Sequence, residues 1–348
     1  FPLGGQGVFS EGSLVVKDSL NLNEINEWRI IDDEYQEFAS ITGPLVNLNN
    51  SSIYAFTDGG KIVLAQASNN DESQLVAYYR TGASNEYALK FTFEGAEVYA
   101  ATIGSNDELH LAYWDTSGER AALKYSSSID KGTIWDTVTL EEAGLNEANL
   151  RTLAIAEKDG VLAVIDQYPN GKTNLHKLSF SDDEWVSTTI VDTPPALYSE
   201  TEIAFYLNPE LNQDDQTDVF NGVDRGVSLA IDDLGVVHVF TGSSIRSESF
   251  GKDYRSTPLS YWNESMRNHL PVLTTVDDYK EYSFSSAQNL FTPVDFNGVL
   301  LDYSSSSDQF FIGTASMPSA VVDSNGDIYV AFSAITEQPD NPRGYDRE

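Results

Sequence analysis

Five of the ten arginines in this 348-residue sequence, Arg225, Arg246, Arg255, Arg343 and Arg347, fall late in the chain, accompanied by Tyr198, Tyr206, Tyr254 and Tyr345. A guanidinium fork pairs with carboxylate or sulfate, and an aromatic face stacks on a sugar ring. The set therefore suits an anionic or neutral glycan, or an acidic peptide. The same arginines also suit internal salt bridges with the abundant carboxylates. Two acidic groups have oxygen ligands at spacings that would hold calcium: Asp214 and Asp218 within the stretch 212–218, and Asp323 and Asp327 around Gly326. The second group reads as hairpin-turn chemistry as well, because Asn106-Asp107 and Asp58-Gly59 occupy comparable places.

Other chemistries are excluded by what the sequence lacks. There is no cysteine, hence no disulfide, thiolate zinc site, iron–sulfur cluster or cysteine nucleophile. The four histidines, His110, His176, His238 and His269, show neither His-x-His nor His-Glu-x-x-His spacing, and no Gly-x-Ser-x-Gly elbow is present. No catalytic residue is assigned, and no cofactor is required beyond the calcium the acidic groups would take. With 54 acidic against 20 basic side chains the formal net charge is −34, which repels phosphate backbones and anionic headgroups. Nucleic acid is thus excluded as a partner. No apolar run is long enough to span a bilayer, so membrane insertion is excluded too. The chain starts at Phe1 rather than Met, from which we expect either a removed leader or a segment of a larger surface protein.

The elements that must position these residues are β-hairpins. Five segments, Ile53–Ser68, Val98–Asp115, Leu150–Gln167, Val227–Gly242 and Pro318–Ser333, each join two alternating apolar runs through an Asp/Asn/Gly turn. Further strand pairs follow several of them, as in Leu123–Leu140 and Leu175–Val191, so the unit is four antiparallel strands. Repetition of that unit with almost no helical periodicity predicts an all-β fold: a single β-propeller spanning 1–348, with five blades favoured and six or seven as alternatives. Residues 13–36 look like the second half of a unit, and 317–333 like a first half, so the two ends are expected to complete one blade and close the ring.

One local motif is sharper than the rest. Ser128, Asp130, Gly132 and Trp135 match S-x-D-x-G-x-x-W between the third and fourth strands of a unit. Here the chain resembles the sialidase-like propellers of secreted and cell-surface proteins, which carry this Asp box in their BNR repeats. The resemblance implies a folding role for the four residues: Ser and Asp tie the turn to the backbone, and Trp packs between sheets on the face away from the active site. Ser179–Trp185 is a partial copy without the glycine. The family's catalytic set of three arginines, a Tyr/Glu nucleophile pair and an acid/base Asp does not carry over. Its early Arg-Ile-Pro run is missing, since Arg29 is followed by Ile30 and Ile31, on a strand expected to be outer and solvent-facing.

Four long stretches, 192–225, 243–257, 277–316 and 334–348, lie at second-to-third-strand or blade-to-blade connections. In a propeller these share one face, and binding loops are normally mounted on one side of a rigid scaffold. The expected function is therefore non-catalytic recognition or adhesion outside the cell or at its surface, with a glycan or protein bound through that face. A carbohydrate-active hydrolase or lyase, or a structural subunit of a surface assembly, are the alternatives.

Overall fold

The computed structural model describes residues 7–10, 13–17, 24–31, 34–42, 46–69, 72–145, 148, 151–168, 172–181, 183–191, 196–199, 216–247, 252–254, 259–264, 288–291, 304–305, 315–323, 325–338 and 341–347. The fold is all-β and built from antiparallel meanders of the propeller-blade type. The chain forms two compact units, Phe1–Asn149 and Leu150–Glu348.

The first unit holds three four-stranded sheets, each in sequential strand order. They are β1 (Gly7–Ser10), β2 (Ser13–Lys17), β3 (Glu24–Ile31) and β4 (Glu34–Thr42); then β5 (Val46–Ala55), β6 (Lys61–Asn69), β7 (Glu72–Arg80) and β8 (Ala88–Glu94); then β9 (Ala96–Ile103), β10 (Leu109–Asp115), β11 (Ala121–Ser128) and β12 (Asp136–Ala143).

The middle sheet is covered on both faces. Ile53, Val63, Ala65, Val76 and Tyr78 pack towards Ile41 of β4, whereas Ile62, Leu64, Leu75 and Ala77 pack towards Leu109, Leu111 and Tyr113 of the third sheet. Alternate residues of one strand thus enter two different cores, and for this reason the second strands read as nearly unbroken apolar runs instead of apolar/polar alternation. Every residue of β10 is buried, while β12 is largely exposed.

The second unit contains a sequential four-stranded sheet of β13 (Thr152–Lys158), β14 (Val161–Gln167), β15 (Thr173–Ser179) and β16 (Glu184–Val191). A seven-stranded sheet follows, with β17 (Ala196–Ser199), β18 (Gln216–Ile231), β19 (Val237–Ser247), β20 (Lys252–Tyr254), β21 (Leu259–Asn263), β22 (Gln288–Phe291) and β23 (Ser304–Ser305). The last sheet has β24 (Ala315–Val322), β25 (Ile328–Gln338) and β26 (Asn341–Arg347). Ala163, Ile165, Leu175 and Ile190 of the first sheet share a core with Leu229, Ile231, Val237, Val239 and Trp262 of the second.

Hairpin tips between first and second strands repeat one turn. The first residue donates its N–H to the fifth residue's carbonyl and accepts from the fourth: Phe56 with Gly60 and Gly59, Gly104 with Glu108 and Asp107, Asp232 with Val236 and Gly235, Asp323 with Asp327 and Gly326. The fourth residue has positive φ each time, which explains Gly or Asp there. His110 and His238 are likewise equivalent. Each shares a hydrogen bond through Nδ1 with the tyrosine diagonally opposite on the third strand, Tyr125 at 2.7 Å and Tyr261 at 2.8 Å, with the two rings stacked.

One expectation needs correction. Ser13–Lys17 and Glu24–Ile31 do not complete the last sheet; they pair with each other and with β1 and β4, so the N-terminal strands make a sheet of their own. Six sheets are found among the described residues. Among the described residues of the long stretches, β19 runs to Ser247, β25 to Gln338, and β26 occupies Asn341–Arg347.

Candidate functional site

The residue types singled out by sequence lie mainly in the second unit, and most are strand residues. Arg246 lies on β19 opposite Phe220 of β18 and Asp253 of β20. Tyr254 pairs with Ile245, Tyr345 with Glu337 and Arg347 with Ile335, and Arg343 also lies on β26. Arg255, Tyr206 and Asp214 lie outside the described residues, and Asp218 is on β18 opposite Leu197. Asp323 and Asp327 form a hairpin tip, with Asp323 Oδ1 accepting from the Asn325 and Asp327 amides at 2.8 and 2.9 Å. Those amides hold the Asp323 carboxyl below the usual carboxylate range. No group of three or more potential metal-ligating side chains occurs among the described residues.

Arg225 occupies a bulge. Val227 pairs with Thr241 and Val223 with Ser243, so three residues of β18 stand against Gly242 of β19. A bulge re-aims its residues and adds local twist. Beyond it the β18–β19 ribbon continues past ordinary blade length, at 16 and 11 residues against 8 and 7 in β9 and β10. The strands β17, β20 and β23 are added along this extension.

At the foot of the ribbon lies a buried polar set that composition and motif did not reveal. Along β14 the apolar residues Leu162–Ile165 are followed by Asp166 and Gln167, both fully buried. Asp166 forms an ion pair with Arg151, whose guanidinium also lies 5.2 Å from the Tyr168 ring centroid. Gln167 Oε1 accepts from Thr173 Oγ1 at 3.3 Å and from Thr241 Oγ1 at 3.0 Å, which joins β14 to both β15 and β19. The Thr241 hydroxyl is also 3.2 Å from the carbonyl of Gly226, inside the bulge. Alongside, Thr189 donates to Asn174 Oδ1 at 2.9 Å, and His176 Nδ1 shares a hydrogen bond with Ser187 at 2.8 Å. Burial, aided by the charge of Arg151, pushes the His176 imidazole down to about 4, so it is neutral at physiological pH.

Polar and charged side chains are costly in an interior unless satisfied, and a concentration of them at one end of a sheet marks that end out. The visible sequence signal was small: Asp-Gln directly after an apolar run. Chemically the set supplies a fixed Arg–carboxylate pair, amide and hydroxyl groups, and a neutral imidazole.

The Ser128–Trp135 turn is a separate construction in the first unit, between β11 and β12. Ser128 Oγ donates to Asp130 Oδ1 and accepts from the Gly132 amide, each at 2.8 Å, while the Thr133 and Ile134 amides both donate to Asp130 Oδ1 at 2.8 Å. Trp135 packs edge-on to Phe91 and Phe93 of the preceding sheet, and Lys131 pairs with Asp58 at that sheet's hairpin tip. These residues fasten two sheets. Arg29, expected on a solvent-facing strand, is half-buried: it donates to Glu27 at 3.1 Å and lies 3.5 Å over the Phe38 ring.

No family model and no curated protein sequence matches the chain. Among solved structures it is similar to a Penicillium chrysogenum α-L-arabinanase complexed with arabinobiose, at 13% identity over 82% of this chain and 74% of that one, with a TM-score of 0.45. A GH93 α-L-arabinofuranosidase of Fusarium graminearum with arabinobiose matches at 10% identity over 86% and 80%, TM-score 0.44. The Aleuria aurantia lectin with Fucα1-6GlcNAc matches at 10% over 97% and 90%, also TM-score 0.44.

Proposed function

We propose that the second unit binds a saccharide at the end of its sheets where the β18–β19 ribbon begins. The observation that carries this reading is the seating of the bulge that holds Arg225 on the buried Gln167–Thr241 contact, beside the Arg151–Asp166 pair. A rigid, satisfied base beneath an extended strand pair is how a recognition surface is pre-organised. The acidic exterior agrees with work outside the cell or at its surface, as a carbohydrate-binding or adhesion module, and the Ser128–Trp135 turn supports the likeness to sialidase-type propellers. Calcium would belong to the Asp214–Asp218 segment.

The test is a glycan array followed by titration calorimetry on the whole chain. Arg225→Ala should weaken the best saccharide at least tenfold while leaving the unfolding midpoint unchanged. Absence of any saccharide ligand would overturn the proposal.

A second reading, a glycoside hydrolase, is favoured by one specific feature: ionisable Asp166 and His176 are enclosed at the same place. Release of reducing ends by the wild type, lost in Asp166→Asn with binding retained, would select the enzyme.

A further inference from the structure

The first unit carries a site of its own, independent of the saccharide-binding reading. The geometry points to the binding of a small oxyanion, either sulfate or the sulfate or carboxylate group of an acidic sugar, at Arg29 where the first two sheets meet. Glu27 of β3 is enclosed there with Lys61 of β6 and Arg80 of β7, none of them more than 5% exposed. Arg80 is fully committed: Nε and Nη2 hold the Glu27 carboxylate, and Nη1 reaches the carbonyls of Thr81 and Ser84 at 3.2 and 3.4 Å. Arg29 is not. Its Nε donates to Glu27 Oε1, and its guanidinium lies 3.5 Å from the Phe38 ring centroid. Its two Nη groups have no partner among the described residues, and 28% of the side chain remains open to solvent.

The fork is held ready by its surroundings. Glu27 pairs with Ala39 and Trp28 with Glu37, so Phe38 is the extra residue of a bulge in β4. A bulge re-aims its side chain, and this one sets the ring beneath two guanidinium groups, with Arg80 5.1 Å from the same centroid. The ring and the Nε contact fix the plane of Arg29, which leaves little rotamer freedom to lose on binding. Gln36 stands directly opposite Arg29, exposed, and adds a neutral amide donor on the same face.

Charge sets the ligand class. Among the described residues one carboxylate serves three cations here, Arg29, Lys61 and Arg80. A guanidinium that shares its carboxylate in a largely desolvated place gains from a further anion, and its planar Nη pair matches the oxygens of sulfate or carboxylate. Of the exposed acids on β4, Glu37 stands opposite Trp28 on the other face, and Glu34 a row further along, opposite Ile31. The net charge of −34 does not cancel the local excess, because exposed charges beyond about 8 Å are largely screened at physiological salt.

The test compares sodium sulfate with sodium chloride at equal ionic strength on the whole chain. Sulfate should bind saturably in titration calorimetry and raise Tm by about 2 °C at ten times its Kd. This comes on top of the steady rise with concentration that sulfate gives any protein by exclusion from its surface. Arg29→Gln should lose the saturable part and keep the steady one, while Arg120→Gln, which removes an exposed arginine elsewhere in the unit, should keep both. Galactose 6-sulfate and glucuronate separate the sources: binding tighter than that of sulfate assigns the anion to a sugar, and binding no tighter assigns it to the free ion. Saturable binding of none of the three anions, or its persistence in Arg29→Gln, overturns the proposal and leaves the saccharide reading of the second unit untouched.

Discussion

Arg80 at the end of β7 grips both carboxylate oxygens of Glu27 on β3, with Nε 3.0 Å from Oε2 and Nη2 2.9 Å from Oε1, across 53 residues of sequence. Both side chains are almost wholly withdrawn from solvent. Tyr87 adds a hydrogen bond to the same carboxylate at 2.6 Å, Arg29 another, and Lys61 stands 3.7 Å away. The first two sheets are thereby joined by a polar contact inside otherwise apolar surroundings, and every carboxylate oxygen is used.

Removing one partner of such a pair leaves a buried charge uncompensated. Arg80→Ala should therefore lower the unfolding free energy by about 3–5 kcal/mol, read from urea unfolding, and Glu27→Ala should cost a similar amount. The double replacement Glu27→Leu with Arg80→Met should recover much of the loss. If it is as unstable as Arg80→Ala alone, the pair is not acting through buried charge.

Gly132 combines φ of +89° with close packing: an added Cβ would fall 2.6 Å from Phe91 Cδ1. The left-handed backbone alone costs about 1–2 kcal/mol for an L side chain, and ring displacement adds to it. Gly132→Ala should shift the Trp135 fluorescence maximum and lower the unfolding midpoint. An unchanged spectrum would show that the Phe91–Trp135 contact is not tight.

His176 gives a pH signature of definite sign. Its folded-state value, about 4, lies below the ordinary 6.5, because burial and Arg151 disfavour the charged ring. The folded state therefore keeps the imidazole neutral. The stability this contributes is complete above 6.5, and it declines as pH falls from 6.5 through 4, by roughly 3 kcal/mol in all. His176→Gln should flatten that portion of the stability profile measured by urea unfolding; an identical slope in the variant would assign it to the carboxylates.

Asp323 is committed to its own turn, so it should contribute nothing to calcium binding. Asp323→Asn keeps an oxygen acceptor for the Asn325 and Asp327 amides. Any rise in Tm on adding calcium, reversed by chelator, should be the same in this variant. Loss of the rise would place calcium at the hairpin tip.

The hairpins were readable because turn chemistry and apolar runs are local. What a strand pairs with is not. The alternation of Ser13–Ile31 identifies strands covered on one side, but it carries no label for the neighbour, and the short β1 that supplies it, Gly7–Ser10, is too brief to stand out. The same limit hid the polar set. Asp166 looks like any of 54 acidic residues until the fold places Arg151 against it and encloses both. His110 and His238, by contrast, each stand near the start of a second strand, a local feature, and the diagonal tyrosine accounts for both.

A second strand such as β10, enclosed along its whole length, has no position at which change is free. Mutational tolerance must then be distributed unevenly within each repeat: second strands hold still, while fourth strands such as β12 and the far ends of hairpins drift. The length of one hairpin, as in β18 and β19, is the dimension along which such a chain can acquire something new without refitting any core.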